Sequence, residues 1–318
     1  MISIGIDIGA SFIKTAVINS GGKILHQKNC AHFSKTPSAL IKKTAQLINT
    51  LKTFYKNQKI TVGVGIAGIV DAKSGVIKYS PNLHKWKDVN FLKPLKKLTG
   101  LRLLVDNDAN MSAWGAYEYE LNRKYTDIFM VTLGTGIGGG IVLGGKLYRG
   151  ASLSAGEIGH TKISLPSNVQ GGLPNYLVCA CGAKGCLETY AGAYGTLNLA
   201  RKAIASFKGK TKLTKKDLSA ENLNIAAQRK DAFALKIWQT MGFYLGRGLA
   251  NMVLLLNPEV IVIAGGLSKA HRFFMPEIKK VFAEQKIKHP FKNLKIKIAK
   301  TENLGAIGAA LYAKHHIK

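Results

Sequence analysis

Carboxylates are scarce in this chain: 17 of its 318 residues are Asp or Glu, against 46 Lys or Arg, a formal charge of +29. The imbalance leaves nucleic acid, an anionic membrane surface or a phosphorylated substrate open as partners. The lysines are spread out, for example Lys42, Lys43, Lys85, Lys96, Lys215 and Lys279, so a Lys-rich solvated surface accounts for them equally well. Even the dense run from Lys286 to Lys300 alternates with apolar residues around Leu294-Lys295-Ile296-Lys297-Ile298, which predicts a half-buried strand. Cysteine is also rare. Of four, Cys179, Cys181 and Cys186 fall within eight positions, which fits a metal site in a reducing compartment better than a disulfide framework. Long apolar runs are missing: none approaches the ~20 residues that span a bilayer. The opening MISIGIDIGASFIK lacks a basic segment followed by a long apolar one, so a cytoplasmic protein is expected. Pro- or Ser-rich linkers are lacking too, so any domain boundary must be a compact crossover, placed near 117–127. With 47% hydrophobic residues, the chain has enough apolar mass for two cores.

Residues 2–8 and 12–18 read as two strands joined by a tight turn at Gly9-Ala10-Ser11. Helical spacing covers 37–57, and further strands are expected at 60–66 and 101–105, the latter followed by a helix from Ala109 to Tyr119. At 128 the opening pattern recurs: strand 128–133, a glycine-rich turn over Gly134 to Gly140, and a returning strand 141–143. Two such units predict an internal duplication, with a cleft between similar halves. Helices are expected near 189–206, 219–229, 231–256 and 306–314, with a buried strand at 260–264.

Four groups of residues carry chemistry. In the first turn, Asp7 at a strand end can hold Mg²⁺ through water, Ser11 offers a hydroxyl, and small residues let backbone N–H groups approach phosphate; an ordinary hairpin explains the turn alone. The second turn, with five glycines in seven positions, has no Gly-Lys-Ser/Thr and no following helix, so it is neither a Walker loop nor a dinucleotide fingerprint. Together the two turns suit a nucleoside triphosphate. His160 with Cys179, Cys181 and Cys186 makes a closed tetrahedral zinc set of structural type, the alternative being three reduced cysteines packed as small apolar groups. Asp106 and Asp108 flank Asn107 at a strand's C-terminal end, and Glu157 and Glu188 sit near the His/Cys set; a carboxylate there can take a hydroxyl proton, or Asp108 can simply cap its helix.

IGIDIGASFIK, VDNDANMSAWG, VTLGTGIGGGI, AGEIGH, CACGAKGCLE and IVIAGGLS, in this order, resemble the ROK family of sugar kinases and sugar-responsive repressors, within the actin/hexokinase-like ATPases. The resemblance implies an α/β fold of two actin-like (ribonuclease H-like) lobes with ATP and Mg²⁺ in the cleft. Lobes over 1–117 with the helix 302–318, and over 118–301, are expected. It implies Asp108 as catalytic base, and Gly68, Asn82, Asn107, Asp108, Glu157, His160 and Glu188 as sugar ligands. Asp7, Gly9, Ser11, Lys14, Gly134, Thr135, Gly136 and Gly138 would then hold phosphates, and Gly265-Gly266 would lie beside the adenosine. Zinc on His160, Cys179, Cys181 and Cys186 would be structural.

The resemblance further implies phosphorylation of a hexose 6-hydroxyl, glucose favoured, by a homodimer. N-acetylglucosamine or N-acetylmannosamine is the alternative acceptor, and polyphosphate the alternative donor. A repressor is disfavoured because the phosphate strand begins at residue 2, so neither a specific nucleic acid nor a membrane partner is expected. Departures from the family pattern are Gly9-Ala10-Ser11 for Gly-Gly-Thr, Cys179-Ala180-Cys181-Gly182 for Cys-Gly-Cys-Gly, and Gly115-Ala116 for Gly-Glu.

Overall fold

A computed structural model describes residues 1–9, 12–32, 36–80, 86–163 and 178–317. The chain forms two compact units, one of Met1–Met130, Gly140–Gly156 and Lys300–Lys318, the other of Val131–Gly139 and Glu157–Ala299. No helix among the described residues is long and apolar enough to cross a membrane.

The first unit is built on β1 (Ile2–Ile8), β2 (Phe12–Asn19), β3 (Ile24–Ala31), β4 (Ile60–Ile66) and β8 (Leu103–Asn107), in the sheet order β3-β2-β1-β4-β8. A small sheet of β5 (Ile69–Asp71), β6 (Val76–Tyr79) and β7 (Lys87–Asn90) branches from the β4–β8 connection. β1 is buried along its whole length, as a strand covered on both faces must be. On one face Ile2, Ile4, Ile6, Val62 and Val64 share a core with Leu40, Ile41 and Ile48 of α1 (Pro37–Phe54) and with Leu92 and Leu95 of α2 (Leu92–Thr99). Each fully buried isoleucine there contributes about 1.5–3 kcal/mol.

Across the chain's parallel strands the register is tight: Asp7 pairs with Gly65 and Gly65 with Asp106, Ile8 with Ile66 and Ile66 with Asn107. The C-terminal ends of β1, β4 and β8 therefore stop level with one another. α10 (Leu304–His316) packs so closely on this sheet that a Cβ on Gly5 would lie 1.7 Å from the Ala306 carbonyl oxygen, and one on Gly63 2.0 Å from that of Ala309.

The second sheet has β9 (Ile128–Leu133), β10 (Ile137–Leu143), β11 (Lys146–Tyr148), β12 (Val260–Ala264) and β13 (Lys295–Ile298), in the order β11-β10-β9-β12-β13. This repeats the strand order of the first sheet, so the duplication expected from the recurring strand–turn–strand pattern is present in the topology. β13 alternates exposed Lys with half-buried Ile, as its spacing predicts. Helices α4 (Glu188–Ala191), α5 (Ala193–Ala203), α6 (Ala220–Gln228), α7 (Ala232–Leu256), α8 (His271–Glu284) and α9 (His289–Lys292) belong to the second unit. Trp238 and Tyr244 of α7 and Phe274 of α8 are fully buried.

Two expectations need correction. The turn expected over Gly134 to Gly140 closes at Gly136, and Gly138, Gly139 and Gly140 lie within β10. Gly140 serves close packing, since a Cβ there would sit 2.5 Å from the Ala109 carbonyl oxygen. The helix expected over Ala109 to Tyr119 is α3 (Asp108–Gly115), followed by a π turn over Ala116–Glu120.

Candidate functional site

The level ends of β1, β4 and β8 carry Asp7, Gly68, Asn107 and Asp108, at the edge where α/β sheets bind ligands. Gly68 adopts φ 127°, and a Cβ would lie 2.5 Å from the Tyr79 carbonyl oxygen, so only glycine makes this turn. Its carbonyl accepts the Asn107 side-chain amide at 2.9 Å. Asn107, not Asp108, caps α3, accepting the Asn110 backbone N–H at 3.0 Å. Asp108 is thereby placed as the first residue of the helix, half-buried, and Gly65 keeps β4 slim where its Cα passes.

The neighbouring Asp106 has a different fate. It is 2% exposed, and its Oδ2 accepts Arg149 Nε at 2.8 Å and Nη2 at 2.5 Å. Its Oδ1 accepts the Asn107 backbone N–H at 2.7 Å and Asn110 Nδ2 at 3.0 Å. Four charge-assisted bonds commit this carboxylate to structure. Removing one partner from such a buried pair costs about 3–5 kcal/mol. Asp7 lies across the first hairpin from Lys14, whose Nζ stands 3.5 Å from Oδ2. Burial raises the Asp7 carboxyl above its ordinary value, and Lys14 opposes the rise. The Gly9 carbonyl oxygen lies 2.8 Å from Nε2 of the buried His32.

In the second unit, β9 runs into the turn Gly134-Thr135-Gly136. The Ala193 and Tyr194 backbone N–H groups donate to the Gly134 and Thr135 carbonyls at 3.0 and 3.3 Å, which fastens the turn to the start of α5. Gly265, at φ 92°, follows β12, and a Cβ on it would lie 2.4 Å from the Leu133 carbonyl oxygen. Gly265 and Gly266 are exposed beside the end of β9, so the chain brings Gly134, Thr135, Gly136, Gly265 and Gly266 to one edge. Gly138 lies outside that turn, in β10. Ser11 and Asn82 fall outside the described residues.

Glu188, the first residue of α4, leans onto the same turn. Its Oε2 accepts the Ile137 N–H at 2.8 Å, and a Cβ on Gly136 would meet that oxygen at 2.0 Å. Glu157, 46% exposed, is raised above the ordinary carboxyl value by partial burial, with His160 opposing and Glu188 adding to the rise. Its Oε2 lies 3.8 Å from His160 Nε2, on a short 3₁₀ turn, Ile158–His160.

The other His160 nitrogen, Nδ1, faces the cysteines, 3.6 Å from Cys179 Sγ. Cys181 and Cys186 sulfurs are 3.8 Å apart, and all four donor atoms lie within 4.8 Å of one another. A tetrahedral zinc with bonds of ~2.3 Å to sulfur and ~2.0 Å to nitrogen has edges of ~3.8 and ~3.5 Å. The donor set therefore fits such an ion. A tight turn with Gly182 at φ 84° shapes the loop, the Cys179 N–H donating to Ala183 at 2.8 Å. Burial pushes the Cys179 thiol up to about 12, so a thiolate there calls for a cation, and Lys162 Nζ stands 2.9 Å from Cys186 Sγ.

With this geometry in hand, comparison with known proteins is decisive for the family. The model of the ROK family matches residues 3–316. The chain belongs to the ROK family. A glucokinase of Halalkalibacterium halodurans is 33% identical over 98% of this chain and 94% of its own length. A xylose repressor of Caldicellulosiruptor bescii is 28% identical over 96% of this chain and 75% of its own length. The crystal structure of a ROK family glucokinase from Streptomyces griseus in complex with glucose and AMPPNP superposes with a TM-score of 0.84 at 27% identity, covering 99% of this chain and all of that one. The fold is accordingly that of the ROK kinases, an α/β chain of the actin-like, ribonuclease H-like class. In this ROK chain one site-bordering residue escaped the sequence reading. Arg149 carries no motif, but only seven of the 46 cationic residues are Arg, and a buried fork is what lysine cannot supply.

Proposed function

We propose that this chain is an ATP-dependent hexose kinase that phosphorylates the 6-hydroxyl of glucose. The observation that carries the reading is the different placement of the two acids that flank Asn107, Asp108 accepting the Ala109 N–H at the start of α3. Asp106 is held by Arg149, Asn107 and Asn110, while Asp108 stands half-buried at the end of β8. Asp108 takes the proton as the sugar oxygen attacks the γ-phosphorus and the bond to the bridging oxygen of ADP breaks. Asn107, Gly68 and Asn82 of the first unit, and Glu157, His160 and Glu188 of the second, are the residues proposed to meet the sugar hydroxyls. Gly9, Ser11 and Lys14, with Gly134, Thr135 and Gly136, are proposed to meet phosphate oxygens, and Gly265-Gly266 the nucleoside. Gly138, the second residue of β10 and next to that turn, belongs to the same proposed set. Mg²⁺ bound with ATP would neutralise charge on the phosphates, and Asp7 is the residue proposed to meet it through water.

A zinc ion on His160, Cys179, Cys181 and Cys186 would fix the imidazole so that Nε2 faces the sugar together with Glu157. The three free thiols near His160 call for a reducing compartment, which accords with a cytoplasmic enzyme. The glucokinase relative favours glucose over an N-acetylated hexose.

The test is ADP release with glucose, N-acetylglucosamine, N-acetylmannosamine, mannose and fructose as acceptors, and with ATP or polyphosphate as donor. Glucose with ATP is expected to give the highest kcat/KM. Asp108→Asn should lower kcat by at least ~10³-fold while leaving glucose affinity within a few-fold. Near-normal turnover by that variant would remove Asp108 as the base. Absence of turnover with every sugar would overturn the kinase reading in favour of sugar sensing.

A further inference from the structure

Arg149 follows β11 and precedes Gly150, which turns at φ 73°. Its guanidinium makes two N–H bonds to Asp106 Oδ2, and Nη2 also donates to the Tyr312 hydroxyl at 2.9 Å. Its Cζ lies 5.4 Å from the centre of the Tyr312 ring, which stacks on His316 at 3.9 Å and meets Trp114 edge-on at 5.3 Å. The fork is thus clamped by α10 on one side and by a carboxylate on the other. Arg149 also accepts the Ala155 N–H on its backbone carbonyl at 3.0 Å, closing the loop that leads towards Glu157.

Asp106 passes this anchorage on. Its second oxygen accepts bonds from Asn107 and from Asn110, the residues that bracket Asp108 in the chain. Both bonds need the carboxylate held in one rotamer. A carboxylate that is 2% exposed and has lost its guanidinium partner would turn towards water or towards another donor. Either change removes an acceptor from the turn that carries Asp108. Lysine cannot restore the arrangement, because a single ammonium does not offer two parallel N–H groups to one oxygen and a third to a hydroxyl.

We propose that Arg149 is a positioning residue for Asp108, acting through Asp106 and the paired Asn107 and Asn110 bonds. The proposal rests on the kinase reading for its effect on turnover, but its structural half stands without it. A base displaced by an ångström loses about 10²-fold in rate, and sugar binding by other groups suffers far less.

The experiment compares wild type with Arg149→Ala, Arg149→Lys and Tyr312→Phe. It measures kcat and KM for glucose and ATP, glucose affinity by calorimetry, thermal melting, and hydrogen exchange of peptides covering 103–112. For Arg149→Ala we expect kcat to fall about 100-fold with glucose affinity within about threefold, and partial recovery of at least tenfold on adding guanidinium at tens of millimolar. Exchange at 107–110 should speed up at least tenfold while β1 stays protected. Arg149→Lys should fall between Ala and wild type, and Tyr312→Phe should lose less than tenfold. Should Arg149→Ala not fold, the Lys variant carries the test through the same kcat and exchange readings. Turnover within threefold of wild type in both Arg149 variants, unchanged exchange at 107–110, or a kcat loss that only tracks the unfolded fraction would overturn the proposal. If wild type phosphorylates no sugar, the kinase reading fails, and exchange at 107–110 still decides whether Arg149 holds the turn.

Discussion

Asp7 and Asp106 are both buried acids at strand ends, and they answer burial differently. Asp106 receives four donors, whereas among the described residues the Asp7 carboxyl faces the Lys14 ammonium at 3.5 Å and is raised by desolvation. A carboxyl whose value is higher folded than unfolded binds protons more tightly in the native state. Native stability then falls as pH rises from the unfolded value through the folded one. Asp7→Asn is accordingly expected to raise Tm, by more at pH 8 than at pH 4, while ATP turnover is lost. Melting curves at the two pH values check this; a lower Tm at pH 8 would mean that the Lys14 contact outweighs desolvation. A buried acid whose carboxyl is raised by desolvation is the kind of group that clusters at functional positions. Sequence alone marked Asp7 by its glycine turn, and it could equally have marked a plain hairpin. Residue type and spacing alone did not separate Asp106 from Asp108; the family resemblance singled out Asp108, and the structure adds an arginine 43 positions away in the chain that engages Asp106.

At the scale of elements, strands were legible wherever β-branched residues met a glycine turn, as at 2–8, 60–66, 128–133 and 260–264. The glycine run 134–140 misled because glycine marks a turn and a close approach alike; at Gly140 it answers the close approach of α3. The sheet of β5, β6 and β7 was not legible, since strands of three or four residues carry too little periodicity. The cysteine cluster was legible by its spacing, and the structure brings His160 to it, with all four donor atoms within 4.8 Å of one another. Zinc there would join residue 160 to residues 179–186 and so carry Glu157 and Glu188 with it. The expected outcome is one zinc per chain in protein purified without chelator. Its removal by a chelator should lower Tm by more than about 5 °C and reduce kcat/KM for glucose, both restored by added zinc. Cys181→Ser with unchanged zinc content and Tm would refute the site.

The whole molecule carries 46 cationic side chains against 17 anionic ones, and most of the described lysines are exposed. Repulsion of this kind is long-ranged and weak per pair, and it opposes the compact state as a sum. Salt acts on it directly, shortening the screening length from about 30 Å at 0.01 M to about 3 Å at 1 M. The Asp106–Arg149 pair responds less, because it is largely buried and screened little, and exposed pairs such as Lys78–Asp88 contribute little to begin with. Sodium chloride should therefore raise Tm steadily between 0.01 and 1 M, where a chain held by exposed ion pairs would lose stability. Differential scanning calorimetry across that range reads the sign. A Tm that falls with salt would show that surface pairing outweighs repulsion, and that the lysines are arranged against the few acids rather than spread as solvating charge.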